Sequence, residues 1–176
     1  GGIGTYGVQI SAARGATVIA VDIDAEKLSN MQRFGATATV NATGLDARGI
    51  KDAVKAEATR LKLAPHAWKV LEMSGTAAGQ AAAYELLTFA GTVGFIGFTM
   101  EKVNVRLGNL MAFDATLFGN WGCLPEHYPA VVDLVLSGKV ALEPFLERRP
   151  MAEIESVFAD LQARRISRRV VLLPEA

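Results

Sequence analysis

Hydrophobic residues in this chain form short β-branched runs that alternate with longer stretches of helical spacing. Runs that are apolar on both faces are typical of parallel strands covered by helices on each side. They predict strands over 16–21, 37–40, 68–73, 91–98, 115–121 and 169–173. Apolar positions spaced by three and four residues predict helices over 3–14, 25–34, 46–62, 76–88, 106–113, 125–137 and 151–164. This alternation predicts an α/β fold with a doubly wound, mostly parallel sheet, formed by one domain over 1–176.

The first four residues, Gly-Gly-Ile-Gly, lead directly into the first predicted helix. A dinucleotide fingerprint has the form G-x-G-x-x-G between a strand and a helix. If Gly1 is its second glycine and Gly4 its third, the first glycine and the strand before it precede residue 1. We therefore expect a piece of a longer protein, with a Rossmann-type sheet that lacks its first strand.

Asp22 ends the first predicted strand, eighteen residues after Gly4. A carboxylate at this place in a dinucleotide fold accepts hydrogen bonds from the adenosine ribose. It also repels a 2′-phosphate, so the sequence favours NAD over NADP. The alternative is that the glycines form an ordinary turn and that Asp22 only ends a strand.

Composition and charge narrow the function classes. Eighteen basic and eighteen acidic residues cancel, so no net charge attracts the chain to nucleic acid or to a membrane. The single cysteine, Cys123, excludes an internal disulfide framework and suits a reducing, cytoplasmic location. His66 and His127 lie far apart and have no metal-ligand spacing, so we predict no metal site. Trp68, Trp121 and Tyr84 are predicted to be packing residues.

The segments GGIGTYGVQI, VIAVDIDAEKL, VLEMSG and GTVGFIGF resemble the coenzyme domain of the zinc-dependent, medium-chain alcohol dehydrogenases. That family carries a G-x-G-G-x-G fingerprint, which matches Gly1, Gly2 and Gly4. The resemblance implies NAD as the cofactor and hydride transfer from an alcohol. It also implies that zinc ligands and the proton relay lie in a separate N-terminal domain, and that catalytic residues are absent from this chain.

At the pyrophosphate, the resemblance implies that Gly1, Gly2 and Ile3 line the bound cofactor. It also places a basic residue nearby, which is Arg169 in the best match. Arg168 stays open as an alternative, one residue away. Both arginines could instead be ordinary surface charges near the C-terminus.

For the adenosine half, the resemblance assigns Asp22, Ile23 and Lys27, which would hold the ribose and flank adenine. Lys27 could equally be a solvated helix residue. For the other half, Ser74 and Gly75 would follow a strand that ends near the cofactor. The resemblance also places the backbone of 96–97 (Ile96 and Gly97) at the nicotinamide carboxamide.

Residues 118–151 resemble, more narrowly, a family member that oxidises a ring hydroxyl next to a coenzyme A thioester. The expected substrate is thus a small molecule, with an acyl-CoA as one candidate. The family also pairs its coenzyme sheets edge to edge, which implies a homo-oligomer formed through 115–121. Two other functions stay open: an S-adenosylmethionine-dependent methyltransferase, which also has a glycine loop and an acidic strand end, and a non-catalytic nucleotide-binding domain.

Overall fold

The computed structural model describes residues 2–163 and 165–174. Its helices are α1 Gly2–Ala13, α2 Ala25–Arg33, α3 Ala47–Arg60, α4 Ala77–Glu85, α5 Gly108–Ala112, α6 Tyr128–Leu136 and α7 Ile154–Gln162. Its strands are β1 Ile19–Asp22, β2 Ala38–Asn41, β3 Lys69–Glu72, β4 Thr92–Phe95, β5 Thr116–Gly119, β6 Leu146–Pro150 and β7 Arg169–Leu173. Single 3₁₀ turns cover Pro125–His127, Glu143–Phe145 and Met151–Glu153. No helix within these described ranges is long and apolar enough to cross a membrane.

All strand pairs in the described residues are parallel, as the sequence predicts, and they form three sheets. The orders are β1-β2, β3-β4-β5 and β6-β7. Within the described residues β1 and β3 are not hydrogen-bonded to each other, so the first two sheets stay separate. Val21 of β1 and Leu71 of β3 are 37% and 43% exposed, which is unusual for strands flanked by helices.

Helices on both faces hold the first two sheets together. Neighbouring residues of a strand point to opposite faces. Ile19 therefore packs into the cluster shared by α3 and α4, whereas Ala20 packs with α2 and with Val8 of α1. The α3–α4 cluster also contains Val70 of β3, so a single apolar layer crosses the break between the sheets.

The α1 helix is held by residues that lie more than 130 positions later in the chain. Gln9 is 3% exposed, and its amide forms two hydrogen bonds with the backbone of Ala141. The side-chain Nε2 donates to the carbonyl at 3.2 Å, and Oε1 accepts from the N–H at 2.7 Å. Phe145 packs edge-on against Tyr6 and Phe34. These contacts fix the direction in which the first turn of α1 points.

The hydrophobic pattern does not predict β6. Its sequence Leu-Glu-Arg-Arg-Pro has no apolar alternation, yet it pairs along its whole length with β7. The parallel pairing with β7 holds this strand, and Arg149 adds an ion pair to Asp160 of α7. Pairing with a strand about twenty residues away leaves no periodic signal.

Two of the three aromatic residues predicted to pack inside the fold do so, and the third does not. Tyr84 is 4% exposed and packs against β4, as expected, and Trp68 is half-buried against the α3–α4 cluster. Trp121 is 90% exposed and contacts Phe98 edge-on, so its prediction as a packing residue is wrong. Trp121 follows the outer strand of its sheet, and few described elements lie beside it.

Candidate functional site

The first turn of α1 lies beside a guanidinium group. Gly1 lies outside the described residues. A Cβ added to Gly2 would lie 3.0 Å from Nη2 of Arg169, so that guanidinium rests directly over the start of the helix. Ile3 is 45% exposed next to it. Free N–H groups and the partial positive charge of a helix start favour an anion, and an arginine adds a fixed charge.

Arg168 lies farther along the first turn of α1. It lines a groove of about 370 Å³ between α1, α2 and the 3₁₀ turn Glu143–Phe145, together with Thr5, Lys27 and Asp24. The guanidinium of Arg169 thus lies at Gly2, whereas Arg168 lies on the side of Asp24 and Lys27.

The end of β1 carries the acidic residue of the predicted site. Asp22 is half-buried, and its Oδ1 accepts a hydrogen bond from the N–H of Asp24 at 3.0 Å. Ile23 is 72% exposed, as a residue that flanks a ligand would be. The ammonium of Lys27 pairs with Asp24 at 3.2 Å. The backbone N–H and side chain of Lys27 lower the pKa of Asp24.

The end of β3 forms a tight turn around a buried carboxylate. Oε1 of Glu72 accepts hydrogen bonds from the N–H of Ser74 at 2.7 Å, from its hydroxyl at 2.5 Å, and from the N–H of Gly75 at 3.2 Å. Gly75 has φ +66°, in the left-handed region that favours glycine. A Cβ there would lie 2.8 Å from the carbonyl oxygen of Phe98.

The end of β4 lies against that turn. The N–H groups of Ile96 and Gly97 both donate to the backbone oxygen of Glu72, at 2.9 and 3.0 Å. A Cβ on Gly97 would lie 2.8 Å from Cα of Gly75 and 2.6 Å from Oε2 of Glu72. The structure therefore brings both predicted residue pairs, 74–75 and 96–97, into one backbone-to-backbone contact.

The motifs and the resemblance assign no role to Glu72. A signal was present: an acidic residue at an inward position of a strand covered by α4. Charged residues are almost never fully buried unless they are paired, so a glutamate at such a position indicates a local hydrogen-bond network.

The arrangement suits a dinucleotide. Ligands of open α/β folds bind outside the carboxyl ends of the strands, where the strand order reverses. Here α1 contacts both β1, through Val8, and the residue after β3, since Gly4 and Gly7 lie against Met73. The helix start and Arg169 thus lie between the carboxyl ends of β1 and β3. The missing Cβ of Gly2 makes room for the Arg169 guanidinium, and those of Gly75 and Gly97 let the two loops pack directly together.

The described residues contain no group of three or more His, Cys, Asp or Glu side chains able to hold a metal. His66, His127 and Cys123 are all exposed and separate. The residues described here therefore do not fit a zinc site.

Comparison with known proteins finds a match to the family model described as zinc-binding dehydrogenase over residues 2–137. Among curated proteins, the chain is 29% identical over 150 residues to D-xylulose reductase from Saccharomyces cerevisiae. It is 27% identical over 173 residues to an alcohol dehydrogenase from Geobacillus stearothermophilus. These matches cover 85% and 98% of this chain but only 41% and 48% of the two relatives.

Among solved structures, the fold is similar to that of the alcohol dehydrogenase from Aeropyrum pernix. The TM-score is 0.83 at 23% identity, and the match covers 99% of this chain and 48% of that one. At this identity the likeness concerns the fold alone. The chain thus spans about half the length of the proteins that it matches.

Proposed function

This chain belongs to the zinc-binding dehydrogenase family, and we propose that it forms the NAD-binding half of an enzyme that oxidises a secondary alcohol to a ketone. Within the family the chain is the coenzyme-binding part, and the cofactor class is a nicotinamide dinucleotide. The observation that carries the proposal is the position of the α1 start and Arg169, between Asp22 on one side and the glycine loops on the other.

The chain's own residues would bind and orient the cofactor. The α1 start and Arg169 would hold the pyrophosphate, and Asp22 with Ile23 and Lys27 would hold the adenosine. The loops at 74–75 and 96–97 would present their backbone to the nicotinamide end. When bound, the cofactor supplies the hydride acceptor.

The position of Asp22 supports a preference for NAD over NADP. A half-buried carboxylate at the end of β1 can accept hydrogen bonds from both ribose hydroxyls, and it repels a phosphate at the 2′ position. Lys27 provides little counter-charge for such a phosphate, because its ammonium is paired with Asp24.

The relatives are about twice as long as this chain, which supports a division of labour. Zinc ligands and the proton relay would lie in another part of the enzyme, and this chain alone would bind cofactor without turnover. We also propose a cytoplasmic location, because the exposed thiol of Cys123 suits a reducing compartment.

For the substrate we propose a ring alcohol carried on coenzyme A. Residues 118–151 resemble 6-hydroxycyclohex-1-ene-1-carbonyl-CoA dehydrogenase, an enzyme of anaerobic aromatic degradation. Polyols are the competing class, since the relatives include a D-xylulose reductase. An assay of the full-length enzyme with both substrate types decides between them: faster turnover of a polyol would refute the acyl-CoA assignment.

Cofactor titration tests the central proposal. We expect this chain to bind NADH at least tenfold more tightly than NADPH, which corresponds to about 1.4 kcal/mol. Asp22→Ser should weaken NADH binding about tenfold and bring the two affinities together, because the ribose acceptor and the repelling charge are both removed. Asp52→Ser, at an exposed position of α3, is the matched control.

Three outcomes would contradict the proposal. Tighter binding of S-adenosylmethionine than of NADH would favour a methyltransferase. An unchanged preference in Asp22→Ser would remove that residue from the ribose site. Absence of binding to any of the three ligands would refute nucleotide binding by this chain.

We further propose that the chain self-associates through residues 115–121. The outer edge of β5 has no strand partner among the described residues, and Phe118 and Trp121 nearby are 44% and 90% exposed. Light scattering over a range of concentrations tests this. A monomer mass at the highest concentration would contradict it.

A further inference from the structure

We infer that Glu72 is a positioning residue for the nicotinamide end of the bound cofactor, an inference that rests on the proposed function. Glu72 lies at the carboxyl end of β3 and is 4% exposed. Its hydrogen bonds go to the two loops that the proposal assigns to nicotinamide, 74–75 and 96–97.

The two side-chain oxygens of Glu72 differ sharply. Oε1 accepts three hydrogen bonds from Ser74 and Gly75. Oε2 is buried and has no hydrogen-bond partner within the described part of the chain. A buried polar oxygen without a donor costs free energy. The three hydrogen bonds to Oε1 offset that cost, so the carboxylate stays buried because it orders the turn that follows β3.

The start of α4 helps to hold the carboxylate. Thr76 caps this helix by accepting a hydrogen bond from the N–H of Gly79 at 3.0 Å, and its hydroxyl also contacts that of Ser74. A Cβ on Gly79 would lie 2.9 Å from Oε1 of Glu72. The first turn of the helix is thus pressed onto the carboxylate, and its partial positive charge favours a carboxylate there.

Glu72 links the two loops through different atoms of one residue. Its side chain orders the turn at Ser74-Gly75, and its backbone oxygen accepts the N–H groups of Ile96 and Gly97. Oε2 faces Gly97, since a Cβ on that glycine would lie 2.6 Å away. A shift of the carboxylate would therefore move one loop relative to the other.

The location of these loops limits the effect to one half of the cofactor. They follow β3 and β4, whereas the proposed adenosine residues lie at the end of β1 and just after it, in a different sheet. The pyrophosphate position at Gly2 and Arg169 lies between them. Loss of the Glu72 contacts should consequently affect the nicotinamide and leave the ADP-ribose part untouched.

The variant Glu72→Gln tests this with the least change of shape. If the new amide oxygen takes the place of Oε1, the negative charge at the start of α4 is lost and an NH₂ group occupies the buried position of Oε2. If the amide is flipped, the NH₂ faces the N–H donors of Ser74 and Gly75, which lose their acceptor. Either orientation weakens the hydrogen bonds around the turn, because a charged acceptor is stronger than a neutral one.

The measurement compares NADH with ADP-ribose, which lacks nicotinamide, by titration of the whole 176-residue chain. We expect Glu72→Gln to weaken NADH binding about tenfold and to change ADP-ribose binding less than about twofold. Glu57→Gln, at an exposed ion pair of α3, is the matched control and should change neither affinity.

A second, milder variant keeps the test valid if Glu72→Gln does not fold. Ser74→Ala removes one of the three donors to Oε1, and we expect the same selective loss at about threefold. Equal losses for NADH and ADP-ribose in both variants, or no loss in either, would overturn the role of Glu72 alone. If the unaltered chain bound neither ligand, the proposed function would fail and this inference with it.

Discussion

The carboxyl ends of β1 and of β3–β4 are built in opposite ways. At β1 the predicted ligand groups are side chains on an open surface: Asp22 is half-buried and Ile23 is 72% exposed. At β3 and β4 the candidate groups are backbone atoms of Gly75 and Gly97, packed against each other over the buried Glu72.

This difference determines how each end responds to change. An exposed side chain can be replaced with only local loss, because water fills its place. A backbone contact cannot yield without moving the strand that carries it. Binding at the β1 end should therefore be tunable by substitution, whereas the β3–β4 end should tolerate very few changes.

Gly97→Ala should give the largest effect on stability. Its methyl group would lie 2.8 Å from Cα of Gly75 and 2.6 Å from Oε2 of Glu72, and neither can move freely. Overpacking of this kind costs about 3 kcal/mol in the free energy of unfolding. Urea denaturation of the chain measures it.

Gly119→Ala is the matched control for that experiment. In β5 the nearest atom to an added Cβ is the carbonyl oxygen of Phe95, at 4.0 Å. We expect a change below about 0.5 kcal/mol, which is ordinary for a site away from special features. Similar losses at the two glycines would contradict the view that close backbone contact makes the β3–β4 end rigid.

Thr76→Ala should cost about 1 kcal/mol, because α4 loses its N-cap hydrogen bond to Gly79. Thr59→Ala is the control, since the Thr59 hydroxyl only donates to the carbonyl of Lys55 inside α3. Both variants lose the same methyl and hydroxyl groups. The difference between their free energies of unfolding therefore measures the contribution of the cap alone. Equal costs would indicate that the cap contributes nothing.

Asp24→Ala, at the β1 end, should cause a smaller loss of stability, and this loss should depend on pH. Asp24 caps α2 by accepting from the N–H groups of Glu26 and Lys27, and the Lys27 backbone N–H lowers its pKa most. A lowered pKa means that this stabilisation is present above the usual value of 3.8 and is lost as the pH falls through the folded-state pKa.

The difference between Asp24→Ala and the unaltered chain should therefore shrink between pH 7 and pH 3. Thr76→Ala is the internal comparison, since its cap does not titrate and its cost should stay constant. Thermal unfolding at several pH values follows both. A difference for Asp24→Ala that is independent of pH would show that its charge is not involved.

Gly7→Ala should give the smallest net effect, although its methyl group would also overlap a neighbour. The overlap is with the end of Met73, 2.5 Å from Cε, and a thioether side chain can rotate away. Alanine also stabilises a helix by about 1 kcal/mol relative to glycine. We expect a net change within about 1 kcal/mol by denaturation; a loss as large as that of Gly97→Ala would contradict this reasoning.

The sequence predicted much of the fold because its strands are apolar on both faces. The parallel direction of the pairs β1–β2 and β3–β4–β5 follows from these local residue types. Asp22 is a ribose-site candidate from the sequence alone, because residue type and spacing carry its signal. The sequence does not predict β6, because its mostly polar residues carry no apolar alternation and its pairing partner β7 lies about twenty residues away.

Glu72 shows which part of the candidate site the sequence cannot predict. Its sequence context indicated that it points inward, but its significance depends on contacts with 96–97, more than twenty residues away. Which glycines touch each other, and which oxygen stays unpaired, are properties of strand packing. Local pattern does not contain them.

The edges of β1 and β3 have a bearing on handling the protein in concentrated solution. Within the described residues, each strand is hydrogen-bonded on one side only, and an unpaired edge is a template for cross-β growth. β3 carries Lys69, an edge charge that opposes stacking, whereas β1 presents Ile-Ala-Val before its first charge. We therefore expect the β1 edge to enter intermolecular aggregates before the β3 edge.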